Sequence, residues 1–333
     1  DATRPGPVPP QLPSRLRGAM GDFDAPQSED CLHLTVWTPA ADAQRRPVVV
    51  WLHGGAWQSG AGALDWYDGA RLAGRGDVVV VAVNYRLAAL GWLHVPGQTA
   101  NVGLLDQEAA IDWVMDNIDA LGGDPERVTL MGQSAGASSI CAMLARRPRF
   151  SRAILQSAAL GRGFRSSAQA AALGKVFLEA AGADTLQAAR ALPVERLLAA
   201  QQAPQVVAAL QAEGGRRSLF GPVLDGQVLP ADIAPALQRP PAAPTCWWPI
   251  PAMRWPRFPA TAPARTARPP AKPCLVHRHG SGLRMPPRRA ARPGWRALTW
   301  RRPRPFSPAT ASNCRSCSAP WTPSPARPCC TAC

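Results

Sequence analysis

A serine lies between two glycines in the stretch VTLMGQSAGASS, residues 128–139. Residues 127–132 are typical of a short strand, and a helix follows directly, so Ser134 falls on the turn between the two elements. Such a sharp turn strains the serine backbone and tolerates only small neighbours, which Gly132 and Gly136 provide. The pattern predicts that Oγ of Ser134 stands at the edge of a sheet, where it could attack a carbonyl carbon.

The oxygen of the carbonyl under attack becomes negatively charged and needs hydrogen-bond donors. The backbone N–H of Ala135, at the start of the predicted helix, is one candidate. A second set is predicted in HGGAW, residues 53–57, because its glycines let the backbone approach a substrate closely. A glycine-rich strand end is commonly only a turn, but its presence together with the serine turn favours the functional interpretation.

The elements around these two motifs alternate between strands and helices. Strands are predicted at residues 31–39, 46–53, 77–85, 127–132 and 152–158, and helices at 101–118, at 137–147 and across 168–212 with breaks near Gly182 and Pro193. Several of the strands are continuous apolar runs, which is typical of strands buried on both faces of a parallel sheet, and 152–158 is interpreted in the same way. The predicted fold class is therefore α/β with a mostly parallel sheet.

The motifs resemble, in type and in order, the blocks of the type-B carboxylesterases. The matching blocks are SEDCLHLTVWTP, HGGAW, NYRLAALGWL, NVGLLDQEAAIDWV, GGDPERVTLMGQSAG, SRAILQS and GPVLDGQVLP. The resemblance runs from about residue 1 to about residue 238. The resemblance implies an α/β-hydrolase fold, a partial one over residues 1–242, and hydrolysis of small carboxylic esters without a cofactor or metal. The family's N-terminal region, ahead of DATRPGP at residues 1–7, is expected to be missing.

The resemblance also assigns roles to residues. By position, Ser134 corresponds to the family's nucleophile, and Gly55, Ala56 and Ala135 correspond to the residues that supply oxyanion-hole N–H groups. The residue before the serine is often Glu in the family and is Gln133 here. This change alters the field near the site but is not expected to abolish the chemistry.

A serine hydroxyl needs a histidine to take its proton and a carboxylate to orient that histidine. In this fold the chain order is serine, acid, histidine. The family's acid follows the stretch that matches GPVLDGQVLP, but after Asp232 this chain has no Asp or Glu, and Asp225 is interpreted as holding a turn. The triad acid is therefore not identified.

The triad histidine is not identified either. His33, His53 and His94 precede the serine, and His53 is interpreted as a structural part of the HGG loop. His277 and His279 follow the serine in CLVHRHGSG, but their surroundings do not resemble the family's histidine block. The sequence therefore predicts an esterase whose activity is impaired in this chain.

Composition divides the chain sharply. Of 37 Lys and Arg residues, 17 lie after Asp232, whereas all 22 acidic residues lie at or before it, so the body carries a net charge of −2 and the remainder +17. Seven of nine cysteines also lie after Asp232. Residues 243–333 are interpreted as a basic, disordered tail rich in Pro, Arg, Trp and Cys.

Three interpretations of this tail stay open. Its arginines and tryptophans could bind polyanions, which would suit a non-catalytic, esterase-like protein. Cys314 and Cys317 could bind a metal with His277 and His279, although the spacing is not that of a known zinc motif. A shifted reading frame in a GC-rich gene explains best why every family block ends near Gln238, so no nucleic-acid partner is expected. Translation of the other two frames after codon 238 tests this hypothesis.

The remaining inferences concern location. No run of 18 apolar residues exists, so no membrane span is predicted. Cys31 and Cys141, the two cysteines of the body, suggest no disulfide framework and slightly favour the cytoplasm. A targeting segment could precede the first residue, so the localisation is left unassigned.

Overall fold

The structure is a computed structural model that describes residues 5–14, 17–20, 23–146, 149–150, 152–238 and the backbone of 296–301. The strands are β1 (His33–Thr38), β2 (Arg46–Leu52), β3 (Val79–Val83), β4 (Gly123–Gln133), β5 (Arg152–Gln156), β6 (Arg165–Ser166), β7 (Val223–Leu224) and β8 (Arg296–Arg301). Among the described residues, six of these strands form one sheet in the order β5-β4-β2-β3-β1-β8, while β6 and β7 pair separately.

The centre of the sheet is parallel and apolar. β2 pairs in parallel with both β3 and β4, and β4 pairs in parallel with β5. β1 is antiparallel to β3 and to β8. Side chains of β2 and β3 are buried on both faces of the sheet, with Val48, Val50, Val79, Val81 and Val83 fully enclosed. β-branched residues suit such doubly covered strands, which confirms the predicted α/β class with a mostly parallel sheet.

Helices cover the sheet. They are α1 (Arg17–Met20), α2 (Ala70–Gly76), α3 (Ala88–Trp92), α4 (Val102–Asn117), α5 (Ala135–Leu144), α6 (Ser167–Ala181), α7 (Leu186–Arg190), α8 (Val194–Ala200), α9 (Pro204–Ala212) and α10 (Ala234–Gln238). α4 and α5 contribute Leu104, Ile111, Val114 and Ile140 to the main core. Gly182 directly follows α6, and its φ of 78° is the left-handed conformation that commonly closes a helix. Pro193 directly precedes α8. Both predicted breaks are therefore confirmed.

The register of β2 and β4 positions the site. Leu52, the last residue of β2, lies opposite Gly132 in β4. Because the two strands are parallel, the chain segments that follow Leu52 and Gln133 emerge side by side at the carboxyl edge of the sheet. The HGGAW loop and Ser134 are those two segments.

Two sequence predictions need correction. The sequence predicts another buried strand at residues 152–158, but β5 alternates between exposed and half-buried residues, and 45% of the surface of Ile154 is exposed to solvent. β5 has a neighbour, β4, on one side only among the described residues, so an apolar run does not by itself distinguish a central strand from an edge strand. The other correction is that the strand predicted at residues 127–132 is longer: β4 begins at Gly123, with an irregularity where its pairing with β2 jumps from Gly123 to Val128.

The tail prediction is largely untested. Within residues 243–333 the structure describes only the backbone of β8, a strand that the sequence pattern did not predict. The candidate metal ligands Cys314 and Cys317, and the histidines His277 and His279, lie outside the described residues.

Candidate active site

Ser134 occupies a strained turn between β4 and α5. Its φ of 53° and ψ of −112° lie outside the regions that L-residues ordinarily adopt. Two hydrogen bonds fix this backbone: the N–H of Ser134 donates to Gln156 O at 2.8 Å, and the N–H of Ser138 donates to Ser134 O at 2.9 Å. One bond continues the pairing with β5 and the other starts the helix, so the serine is held rigidly at the tip of the turn.

The flanking glycines are required by close contacts. A Cβ at Gly136 would overlap the backbone oxygen of Leu52, and a Cβ at Gly132 would lie 2.7 Å from the carbonyl carbon of Gly136. Helix α5 therefore rests directly on the end of β2 because no side chains separate them. The small neighbours predicted from the sequence are explained by this packing.

The loop after β2 also adopts left-handed conformations. φ is 117° at Gly55, 57° at Ala56 and 58° at Trp57. A Cβ at Gly55 would overlap the backbone oxygen of Ser59, which itself belongs to a tight turn because the N–H groups of Gln58 and Ser59 both donate to Gly55 O. Only glycine fits at position 55.

Three hydrogen bonds fix this loop against its surroundings. Trp57 Nε1 donates to Ser139 Oγ at 3.0 Å, which connects the loop to α5. The hydroxyl of Tyr85 donates to His53 O at 2.8 Å, and the N–H of Ala88 donates to Trp57 O at 2.7 Å. The loop and the serine turn are therefore parts of one rigid unit.

Donors are available beside the serine. Among the described residues, no acceptor is bonded to the backbone N–H groups of Gly55, Ala56 or Ala135. Ala135 is the first residue of α5, where the N–H groups have no partner within the helix and the helix dipole places partial positive charge. Ala56 and Ala135 share a cleft with Ser134, whereas Gly55 does not line it. An oxyanion formed at Ser134 would meet donors that are already oriented.

The cleft in front of Ser134 has a volume of about 70 Å³. Ser134 is half-buried at its wall, and the rest of the lining comes from the first turn of α5, from the loop after β2, from the segment between β5 and α6, and from the segment before β7. A serine on a strained turn, unpaired N–H groups and a small cleft together form the arrangement of an acyl-transfer site.

Comparison with known proteins agrees with this geometry. The model of the carboxylesterase family matches residues 1–245. The chain belongs to the carboxylesterase family. Over 166 residues it is 46% identical to the para-nitrobenzyl esterase of Bacillus subtilis, covering 48% of this chain and 34% of that protein. Over 172 residues it is 55% identical to the probable N-octanoylanthranilate hydrolase of Rhodococcus erythropolis, covering 50% and 38%.

Solved esterases share the fold of this carboxylesterase chain. The carboxylesterase of Geobacillus stearothermophilus is 39% identical, with a TM-score of 0.58. A thermophilic para-nitrobenzyl esterase is also 39% identical, with a TM-score of 0.62. In each comparison the match covers 69% of this chain and 48% of the other, so the chain spans about half the length of these esterases. The α/β-hydrolase fold predicted from the sequence is confirmed.

The described histidines of the carboxylesterase chain lie away from the cleft. His53 is completely buried, its Nδ1 lies 2.8 Å from Gly54 O, and its ring stacks on Tyr85 at 4.3 Å. Burial lowers its pKa to about 4, so His53 is neutral at pH 7. His94 Nε2 lies 2.9 Å from Ser167 Oγ, and His33 is buried in β1. None of these three lines the cleft.

The two acids that follow Glu213 have local structural roles. The carboxylate of Asp225 accepts hydrogen bonds from the N–H groups of Gln227, Val228 and Leu229 at 3.4, 3.2 and 2.7 Å, which holds the turn expected there. Asp232 accepts from the N–H of Ala234 at 2.8 Å at the start of α10. Within the described part of the chain, neither a carboxylate nor a histidine lines the Ser134 cleft.

Several cleft residues were not found by sequence reasoning. Phe164, Arg162 and Arg165 come from the segment after β5, and Arg217 and Phe220 come from a segment about fifty residues later. No local motif marks them, because they are brought to the serine only by the tertiary fold.

No helix within the described residues is long and apolar enough to cross a membrane. In the same part of the chain, no three His, Cys, Asp or Glu side chains are grouped so that they could hold a metal ion.

Proposed function

We propose that this chain supplies the nucleophile and the oxyanion hole of a carboxylic ester hydrolase. Ser134 Oγ would attack the ester carbonyl carbon, the C–O bond to the alcohol would break, the serine proton would leave with the alcohol, and an acyl group would remain on the serine. Water would then release the acid and regenerate the hydroxyl. The N–H groups of Ala56 and Ala135, which line the cleft, would stabilise the negative oxygen in both steps.

One observation carries this proposal: the strained conformation of Ser134 beside N–H groups that have no acceptor among the described residues. Strain of this kind persists only where the surroundings impose it, and it is concentrated at reactive sites. The strained turn between β4 and α5 presents the hydroxyl of Ser134 at the cleft instead of burying it in α5. The relatives named above are esterases or hydrolases, which agrees with the same chemistry.

Ser134 lacks a base among the described residues, because no histidine lines its cleft. A hydroxyl without a base is a weak nucleophile, and oxyanion donors with binding alone leave only a small part of the full rate enhancement. We therefore expect little or no Ser134-dependent hydrolysis of para-nitrophenyl butyrate by this chain. A robust rate that Ser134→Ala abolishes would contradict this expectation and would direct attention to His277 and His279.

A Ser134→Cys variant tests the nucleophile position without requiring a base. A thiol is intrinsically nucleophilic and partly ionised near pH 8, and the N-terminus of α5 should lower its pKa further. The sulfur would bond to the acyl carbon, the electron pair of the C–O bond would leave on para-nitrophenolate, and the thiol proton would go to solvent. Because the chain also has nine native cysteines, we expect one nitrophenolate per chain in excess of that released by the parent chain, and an acyl adduct on the peptide that contains position 134.

Ser157→Cys is the matched control. Ser157 also has a left-handed φ, 55°, follows the neighbouring strand β5 and is exposed, but it does not line the cleft. Loss of one oxyanion donor commonly costs a hundredfold or more in rate, so position 134 of the Ser134→Cys variant should be acylated at least about tenfold faster than position 157 of the control, as read from the labelled peptides. Equal acylation rates in the two variants would refute the proposed function.

A further inference from the structure

The charged side chains at the Ser134 cleft are all cationic. Its lining includes Arg162, Arg165 and Arg217, and no Asp or Glu of the described residues lines it. The remaining lining is small or apolar and includes Trp57, Ala159, Phe164, Phe220 and Pro222. A cleft with apolar walls and like charges concentrates the opposite charge near the reacting atom.

Arg165 is already neutralised. It is buried, its Nη2 lies 2.8 Å from the Glu213 carboxylate, and its Nη1 donates to the carbonyl oxygens of Ser218 and Leu219. These bonds connect the segment after β5 to the segment before β7. Arg165 therefore builds the cleft and leaves little charge for a ligand.

Arg217 is positioned but not neutralised. Its Nε donates to the backbone oxygen of Arg162 at 2.9 Å, and its Nη1 donates to Gln169 Oε1 at 3.3 Å. Both acceptors are uncharged. Nη2 lies 3.7 Å from the place where a Cβ on Gly163 would be, so the guanidinium lies over a residue of the cleft wall.

Arg162 adds a second positive charge. It ends the short 3₁₀ helix Leu160–Arg162 and is exposed at the rim. Within the described part of the chain, no carboxylate forms an ion pair with Arg162 or Arg217. The N-terminus of α5 adds partial positive charge at Ser134 itself.

We propose that the cleft at Ser134 takes short esters that carry a second, ionised carboxylate, which Arg162 and Arg217 bind. This inference rests on the proposed function, because it assigns a substrate class to the same serine. A guanidinium offers paired N–H groups that match a carboxylate. The cleft volume of about 70 Å³ accommodates about five water-sized groups, which suits a short acyl chain.

The carboxylate could belong to either side of the ester bond, and the test separates the two sources. The protein is the full chain carrying Ser134→Cys. It is acylated with para-nitrophenyl valerate, with the mono-para-nitrophenyl ester of glutaric acid, and with the valerate ester of a nitro-substituted hydroxybenzoic acid. The second ester has its carboxylate on the acyl side, and the third has it on the leaving group. Each anionic rate is divided by the neutral rate after correction for reaction with free cysteine.

We expect one anionic ester to react about tenfold faster than the neutral ester, since each of the two arginines contributes up to about fivefold. The preference should fall severalfold with Arg217→Gln or Arg162→Gln and with added salt. Arg190→Gln, an exposed arginine of α7 away from the cleft, should leave the ratio unchanged.

The possible failures are distinguishable. If no ester acylates the Ser134→Cys variant faster than the Ser157→Cys control, the proposed function fails. If the neutral ester reacts with the expected advantage but the anionic ratios stay near one, the carboxylate subsite is refuted and the esterase proposal stands. A preference that survives both arginine substitutions also overturns the assignment to Arg162 and Arg217.

Discussion

Because the backbone of Ser134 is strained, we expect glycine at position 134 to give a more stable protein than alanine. The backbone at φ 53° and ψ −112° costs an L-residue about 1 to 3 kcal/mol, and the Cβ is the source of that cost. Ser134→Ala keeps the Cβ and therefore keeps the strain. Ser134→Gly removes it but gives the unfolded chain more freedom, which costs about 0.5 to 1 kcal/mol. The glycine variant should therefore be more stable than the alanine variant by about 0.5 to 2 kcal/mol.

Urea unfolding followed by circular dichroism measures this difference, provided that both variants unfold with the same dependence on urea. Ala172→Gly, at an exposed position inside α6, is the control and should lose about 1 kcal/mol relative to the parent chain. Glycine would then stabilise at one site and destabilise at the other. If Ser134→Gly is less stable than Ser134→Ala by as much as the control, the turn is not strained, and the argument for a poised nucleophile loses its basis.

Three further predictions concern buried groups. The pKa of His53 in the folded chain, about 4, lies below the ordinary value of 6.5. As the pH falls from about 6.5 to 4, the unfolded chain therefore binds a proton that the folded chain does not, and the free energy of unfolding decreases. Between pH 7 and 5 the loss should be about 2 kcal/mol in urea titrations, and His53→Gln should remove that contribution from the pH dependence. Asp106 receives three hydrogen bonds from Arg86 in a buried setting, so Asp106→Asn should cost about 3 kcal/mol by the same assay. Burial raises the pKa of Cys31 to about 12 and of Cys141 to about 11, so iodoacetamide at pH 8 should label both only after unfolding, as read by peptide mass spectrometry.

Each of these three predictions is contradicted by a specific experimental result. A His53→Gln variant with the same pH dependence as the parent would exclude His53 as the titrating group. A loss below about 0.5 kcal/mol in Asp106→Asn would mean that Arg86 finds another acceptor. Alkylation of native Cys31 at the rate of an unfolded peptide would show that the thiol is accessible.

The elements around the serine could be predicted because their signals are local. A run of valines bounded by glycine specifies a buried strand such as β2, and glycine two positions either side of Ser134 permits the turn. The position of a strand within the sheet has no such local signal. β5 has an apolar centre like β4, yet among the described residues it pairs with β4 alone, and its burial depends on partner strands and not on its own residues.

The sequence by itself determined the α/β class, the carboxylesterase resemblance and the serine turn, since each depends on residues a few positions apart. Only the tertiary structure decided what surrounds Ser134. Arg162 and Arg217 reach one cleft because Arg165 bridges their two segments, and His53 is buried against Tyr85 and does not line the cleft. Contacts between residues distant in the chain follow from packing, which no short pattern encodes.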